Sequence, residues 1–251
     1  MNEADDQDAV LPAHLVAGYQ SFLFGRFHTE HARYRRLAHD GQRPATLLIA
    51  CSDSRVGPEI VFDAHPGEIF VVRNVAALVP PHHAGQDSHG ALAALEYAVM
   101  RLEIGHIVVM GHALCGGVRA FAEHKRDPAK APITAGDYVG RWMEIIAPAA
   151  EAVEDENEPI EVYAERLGRA AVGASLNALR SYAFIDERER KGALRLHGAY
   201  FDMTDGGLSA LDEVTGLFTP IGAAAHRRAL ADPNFAEGAL CPHCGGPALK
   251  R

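Results

Sequence analysis

The sequence predicts an α/β fold, a mostly parallel central β-sheet flanked by helices with a helical arm in front of it. Three observations carry this. The apolar runs TLLIA (46–50), IFVV (69–72) and IVVM (107–110) have the length and composition of strands buried on both faces. They alternate with stretches whose apolar residues recur at helical spacing. No internal repeat and no long linker divides the chain.

The elements follow in order. Leu15, Tyr19, Phe22, Leu23 and Phe27 recur every three to four residues between His14 and His39, with arginines interleaved, so this segment is an amphipathic helix that Gly25 can break in two. Gly41 and Pro44 make the turn into the first strand, and Pro66-Gly67 introduces the second. Leu92, Leu95, Val99 and Leu102 share one helical face, and Asp87-Ser88-His89-Gly90 reads as the cap of that helix. The third strand leads into another helix from about Gly116. Prolines 128, 132, 148 and 159 break up a helical region ending in the acidic run 151–159, a solvated segment. A helix over 162–182, the charged stretch 186–192, a strand-like segment 194–203, a Gly206-Gly207 turn and a short run at 208–211 complete the body. Residues 1–13 are an acidic, flexible start, 14–220 the folded domain, and 221–251 an Ala- and Arg-rich extension ending in a CxxC.

Composition excludes several function classes. Of 251 residues, 33 are acidic and 24 basic, a formal charge of −9, which gives no support for nucleic acid or anionic membranes as partners. No apolar run reaches the ~20 residues of a membrane span, and the acidic start does not resemble a signal peptide, so a cytoplasmic protein is expected. Four cysteines are too few for a disulfide scaffold. With 14 histidines beside them, metal chemistry is the reading to pursue.

Two strands run straight into chemically equipped segments, Cys51-Ser52-Asp53-Ser54-Arg55 and Gly111-His112-Ala113-Leu114-Cys115-Gly116-Gly117. Ligands of open parallel sheets sit outside the carboxyl ends of the strands, which places both segments in one crevice. In extended chain Cys51, Asp53 and Arg55 point to one side, and on a first helical turn His112 and Cys115 share a side. Two thiols and an imidazole form a catalytic zinc set with a fourth position left for water or substrate. Asp53 has two options: to close the site as fourth ligand, or to be held away by a bidentate pair with Arg55.

These segments, with Pro66-Gly67-Glu68, Val71-Val72-Arg73-Asn74-Val75 and Leu95-Glu96-Tyr97-Ala98-Val99, resemble the β-class carbonic anhydrases over about residues 15–215. The resemblance implies Zn2+ on Cys51, His112 and Cys115, with Asp53 and Arg55 as the catalytic dyad. It implies zinc-hydroxide attack on CO2, giving bicarbonate and a proton. Gly41-Gln42-Arg43-Pro44 is similar to the plant-like branch, in which Gln42 donates to a substrate oxygen. Phe70, Val75 and Tyr97 match the apolar CO2 wall, partly across a dimer interface, and Gly116 joins this substrate set. Leu48 and Ala50 stand where allosteric members carry Trp and Gly, implying the unregulated type. The arm at 14–39 would pack on a second copy, in a homodimer or an oligomer of dimers.

Other roles stay open at this level. The same scaffold serves CS2 or COS hydrolysis, and a zinc closed by Asp53 serves a non-catalytic binding module. Arg73 is placed to pair with Glu68 or Glu96, and His82, His83 and His89 are surface candidates for proton transfer. His197 reads as structural. Cys241 and Cys244 are either half of a second zinc site or part of a loose tail.

Overall fold

The computed structural model describes residues 10–83, 90–129, 134 and 136–231. Its centre is one six-stranded sheet in the order β2-β1-β3-β4-β5-β6. Strands β1 (Thr46–Cys51), β2 (Ile69–Asn74), β3 (His106–His112) and β4 (Arg195–Asp202) run parallel, and β5 (Gly207–Asp212) and β6 (Leu217–Pro220) complete an antiparallel meander. The chain leaves β1 toward one side for β2 and returns on the other side for β3. The order of strands therefore reverses between β1 and β3, and their carboxyl ends flank the crevice such a reversal creates.

The arm consists of α1 (Ala13–Phe22) and α2 (His28–Asp40), joined by a wider helical turn at Leu23–Phe27. Gly25 lies within that turn, so the expected break is a widened coil in one continuous rod. None of the arm's residues is buried. Its second half is tied to the body by Arg26 and Arg33, which donate to the carbonyls of Ala64 and Pro66, and by the Arg33–Glu68 pair. Leu15, Val16, Tyr19 and Phe24 are left exposed.

The short helix α3 (Pro58–Val61) follows β1, and α4 (Gly90–Glu96) continues as a wide turn through Arg101. Next come α5 (Gly116–Arg126), α6 (Tyr138–Met143), α7 (Ala147–Ala152), the long α8 (Ile160–Arg180), α9 (Ala183–Arg190) and α10 (Ala223–Leu230). No helix among the described residues is long and apolar enough to cross a membrane. Two core clusters meet along α8. One gathers Leu47, Ile49, Ile107, Val109, Leu176 and Leu179, and the other Val118, Met143, Ile146, Tyr163 and Leu167. α8 lies tightly on β3 and β4 because the strands are bare beneath it. A methyl group on Gly111 would stand 2.8 Å from Val172 Cγ2, and one on Gly198 2.9 Å from Val172 Cγ1.

Compared with the expected elements, β1, β2, β3 and β5 extend by one or two residues at an end, β4 is one residue shorter at each end, and α8 starts and ends two residues early. α3, α9, β6 and, within the Ala- and Arg-rich extension, α10 are additions. The acidic run is solvated as expected and anchored at two points, Asp155 to Arg126 and Glu158 to Arg166. The cap at 87–89, His89, the first nine residues, and the Cys241/Cys244 tail lie outside the described residues.

Candidate metal centre

Cys51 ends β1, His112 ends β3, and Cys115 stands immediately before α5, all three buried. Their ligand atoms lie within 4.8 Å of one another, and the two Sγ atoms are 4.0 Å apart. The imidazole is oriented by its own backbone. Nδ1 donates to the carbonyl of Ala113 at 2.8 Å, which leaves Nε2 as the unprotonated nitrogen. That Nε2 is buried and has no hydrogen-bond partner. A buried lone pair without a donor costs roughly 1–3 kcal/mol, and facing two sulfurs it is suited to a soft cation. The residues present therefore fit zinc.

The route to this convergence differs from the sequence expectation. Cys115 does not share a helical turn with His112. The chain leaves β3 through a tight turn in which Leu114 adopts φ 57°, and this turn swings Cys115 back beside His112. Nor do Asp53 and Arg55 continue the strand on one side with Cys51. The chain bends at Ser54-Arg55, and the Arg55 N–H caps Asp53 Oδ1 at 3.0 Å. The guanidinium closes the pair from Nε (2.9 Å to Oδ1) and Nη2 (2.6 Å to Oδ2), and Nη2 also reaches the Leu114 carbonyl at 3.4 Å. Arg55 holds the Asp53 carboxyl well below the usual carboxylate range. With both oxygens engaged by Arg55, Asp53 is not part of the three-residue donor group.

Backbone amides surround the sulfurs. The N–H groups of Asp53 and Ala76 approach Cys51 Sγ at 3.5 and 3.3 Å. The Cys115 hydrogen bond, with those amides, draws the Cys51 thiol down, while Cys115 is pushed up by giving that bond and by burial. Arg73, expected to pair with a carboxylate, donates instead to the carbonyls of Cys51 (2.9 Å) and Asp53 (2.6 Å). Glu68, one expected partner, is taken by Arg33.

The remaining expected site residues divide into two groups. Val75, in the turn after β2, lies beside Gly117, and Gly116 opens α5 next to Cys115. Gln42, Phe70 and Tyr97 belong to the other end of the sheet. Phe70 is level with Leu47, four residues before Cys51, about 13 Å away along the strand, and Gln42 precedes the start of β1. Phe70 and Tyr97 pack together with ring centroids 6.0 Å apart, and Tyr97 is half exposed. Within one chain they do not wall the Cys51 group. His197, expected to be structural, meets His106 across β3 and β4 with nitrogens 3.0 Å apart.

A buried sulfur–nitrogen donor set at the reversal point of a parallel sheet, with an arginine-locked carboxylate beside it, defines a metal-dependent α/β enzyme. The family model for carbonic anhydrase matches residues 46–208. Beta carbonic anhydrase 3 of Arabidopsis thaliana is 31% identical over 208 residues, 82% of this chain and 79% of that protein. Among solved structures, the β-carbonic anhydrase CcaA superposes with a TM-score of 0.69 at 30% identity, covering 83% of this chain and 91% of that one. A tetrameric β-carbonic anhydrase of Sordaria macrospora gives 0.64 at 26% identity, covering 82% and 97%. The chain belongs to the carbonic anhydrase family, in its β class, whose members are zinc enzymes.

Proposed function

We propose that this enzyme catalyses the reversible hydration of carbon dioxide to bicarbonate and a proton, with zinc held by Cys51, His112 and Cys115. The observation that carries the reading is the buried, unpartnered His112 Nε2 facing two cysteine sulfurs. Zinc bound there acts as a Lewis acid that brings the ionisation of water toward neutral pH.

The chain's own residues supply the rest. Arg55 keeps Asp53 ionised and turned aside, so a hydrogen-bond acceptor stands next to the donor group without filling its fourth position. The same pairing speaks against a closed, purely structural zinc, which needs four protein ligands. Val75 offers an apolar surface at the turn after β2, suited to an uncharged substrate. Gln42, Phe70 and Tyr97 act on the donor group of a second copy, Gln42 by donating a hydrogen bond to a substrate oxygen. Their distance from the metal group of their own chain and the half-exposed Tyr97 support this. The exposed apolar residues of α1 are the docking element for that second copy.

Stopped-flow CO2 hydration by the zinc-loaded protein from about pH 6.5 to 9 tests the proposal, with a rate that rises with pH through one ionisation expected. Cys51→Ser should lose zinc and activity together, and full activity in metal-free protein would rule the mechanism out. Faster turnover of COS or CS2 than of CO2 in the same apparatus would reassign the substrate.

A further inference from the structure

β2 ends at Asn74, level with Cys51 in the parallel register. Beyond it the chain makes a turn that alanine disfavours. Ala76 and Ala77 have φ of 64° and 56°, in the left-handed region where Cβ crowds the following carbonyl. Both are buried. The Asn74 side chain holds this turn. Its Oδ1 accepts from the Leu78 N–H and its Nδ2 donates to the Leu78 carbonyl, both at 2.9 Å. One amide thereby satisfies both backbone groups of the residue four positions ahead. From the other side, Trp142 Nε1 donates to the Val75 carbonyl at 2.8 Å. Gly117 closes the space, since a methyl there would stand 2.7 Å from Val75 Cγ1. The result is one aimed group, the Ala76 N–H, 3.3 Å from Cys51 Sγ.

We propose that Asn74 is a positioning residue for the metal centre: it holds the strained Ala76–Ala77 turn so that the Ala76 N–H stays on Cys51 Sγ and draws charge off that sulfur. This rests on the reading that Cys51, His112 and Cys115 hold the metal. A thiolate that receives a hydrogen bond donates less charge to its cation, and a donor fixed in place loses its cation more slowly. Two thiolates cancel the formal charge of a divalent ion, so withdrawing charge from one sulfur keeps the ion the stronger Lewis acid. Asn74 touches neither metal nor substrate and acts through Ala76.

The test uses the full-length chain loaded with Co2+, whose thiolate-to-cobalt charge-transfer band reports on the sulfur, together with metal release to a chelator. Asn74→Ala should shift that band to longer wavelength and release metal about 10- to 100-fold faster. Asn74→Asp keeps the acceptor for the Leu78 N–H and loses the donor, and should fall between. A folded Asn74→Ala protein with the wild-type band and wild-type release rate would overturn the proposal. If Asn74→Ala does not fold, an unshifted band and unchanged release in Asn74→Asp overturns it. A wild-type protein with no thiolate-to-cobalt band overturns the underlying metal reading instead, so the two failures are distinct.

Discussion

Leu114 stands between two of the three donor residues with φ 57° and a side chain more than half exposed. A left-handed conformation costs a residue with a Cβ about 1–2 kcal/mol, and a side chain in solvent recovers little of that by burial. Leu114→Gly relieves the strain while loosening the unfolded chain, so urea unfolding should find stability unchanged within about 1 kcal/mol. Gly111→Ala, one residue before His112, should lose about 1–3 kcal/mol in the same assay, because its methyl would meet Val172 Cγ2 at 2.8 Å and Tyr200 Cδ2 at 3.0 Å. At this scale the sequence reveals which residues converge and not how. CxDxR and HxxC are legible because cysteine, histidine and aspartate at strand ends have few other uses. The left-handed turn at Leu114 is not legible, since leucine carries none of the signals of glycine or asparagine. The partners of Arg73 are equally hidden, because every residue offers a carbonyl and the sequence marks none of them.

The long helix α8 shows what an element contributes beyond its own hydrogen bonds. Its apolar face supplies Leu167, Val172, Leu176 and Leu179 to the core, and Ser175 on that face is buried too. Ser175 Oγ accepts from the Val79 N–H at 3.2 Å, satisfying a backbone donor in the segment that follows the Ala76–Ala77 turn. Ser175→Ala should therefore lower stability by about 1–3 kcal/mol with the helix intact by circular dichroism, since a buried donor is left without a partner. β1, β2 and β3 were predictable because an uninterrupted apolar run has few alternatives to a buried strand. α9 was not, as six of its eight residues are Asp186, Glu187, Arg188, Glu189, Arg190 and the alanine that starts it. It is held by Ile185 in the core and by the exposed pairs Asp186–Arg190 and Glu187–Lys191, which add a few tenths of a kcal/mol each. β6 is four residues long and ends in proline, and only its pairing with β5 makes it a strand.

For the whole molecule, the two ends of the sheet carry different halves of the expected site, a division that one-dimensional spacing conceals. If each copy lends Gln42, Phe70 and Tyr97 to its neighbour, Leu15→Asp with Tyr19→Asp in the arm should yield monomers by sedimentation and lose most of the CO2 hydration. Equal mixing of Cys51→Ser and Phe70→Ala subunits, after exchange, should restore about one quarter of the wild-type rate, because only one site in each mixed pair is whole. No recovery with confirmed exchange would return both halves of the site to one chain. The reversal of strand order between β1 and β3 has a consequence for folding as well. Cys51 and Cys115 are 64 residues apart in sequence and adjacent in space, so a bound ion is also a cross-link that closes a long loop. Until β3 has docked beside β1 the chain holds one half of a chelate, and the ion can grip firmly only what has already folded. Metal is then a brace on the centre of the sheet, and its removal should lower the melting temperature as well as the rate.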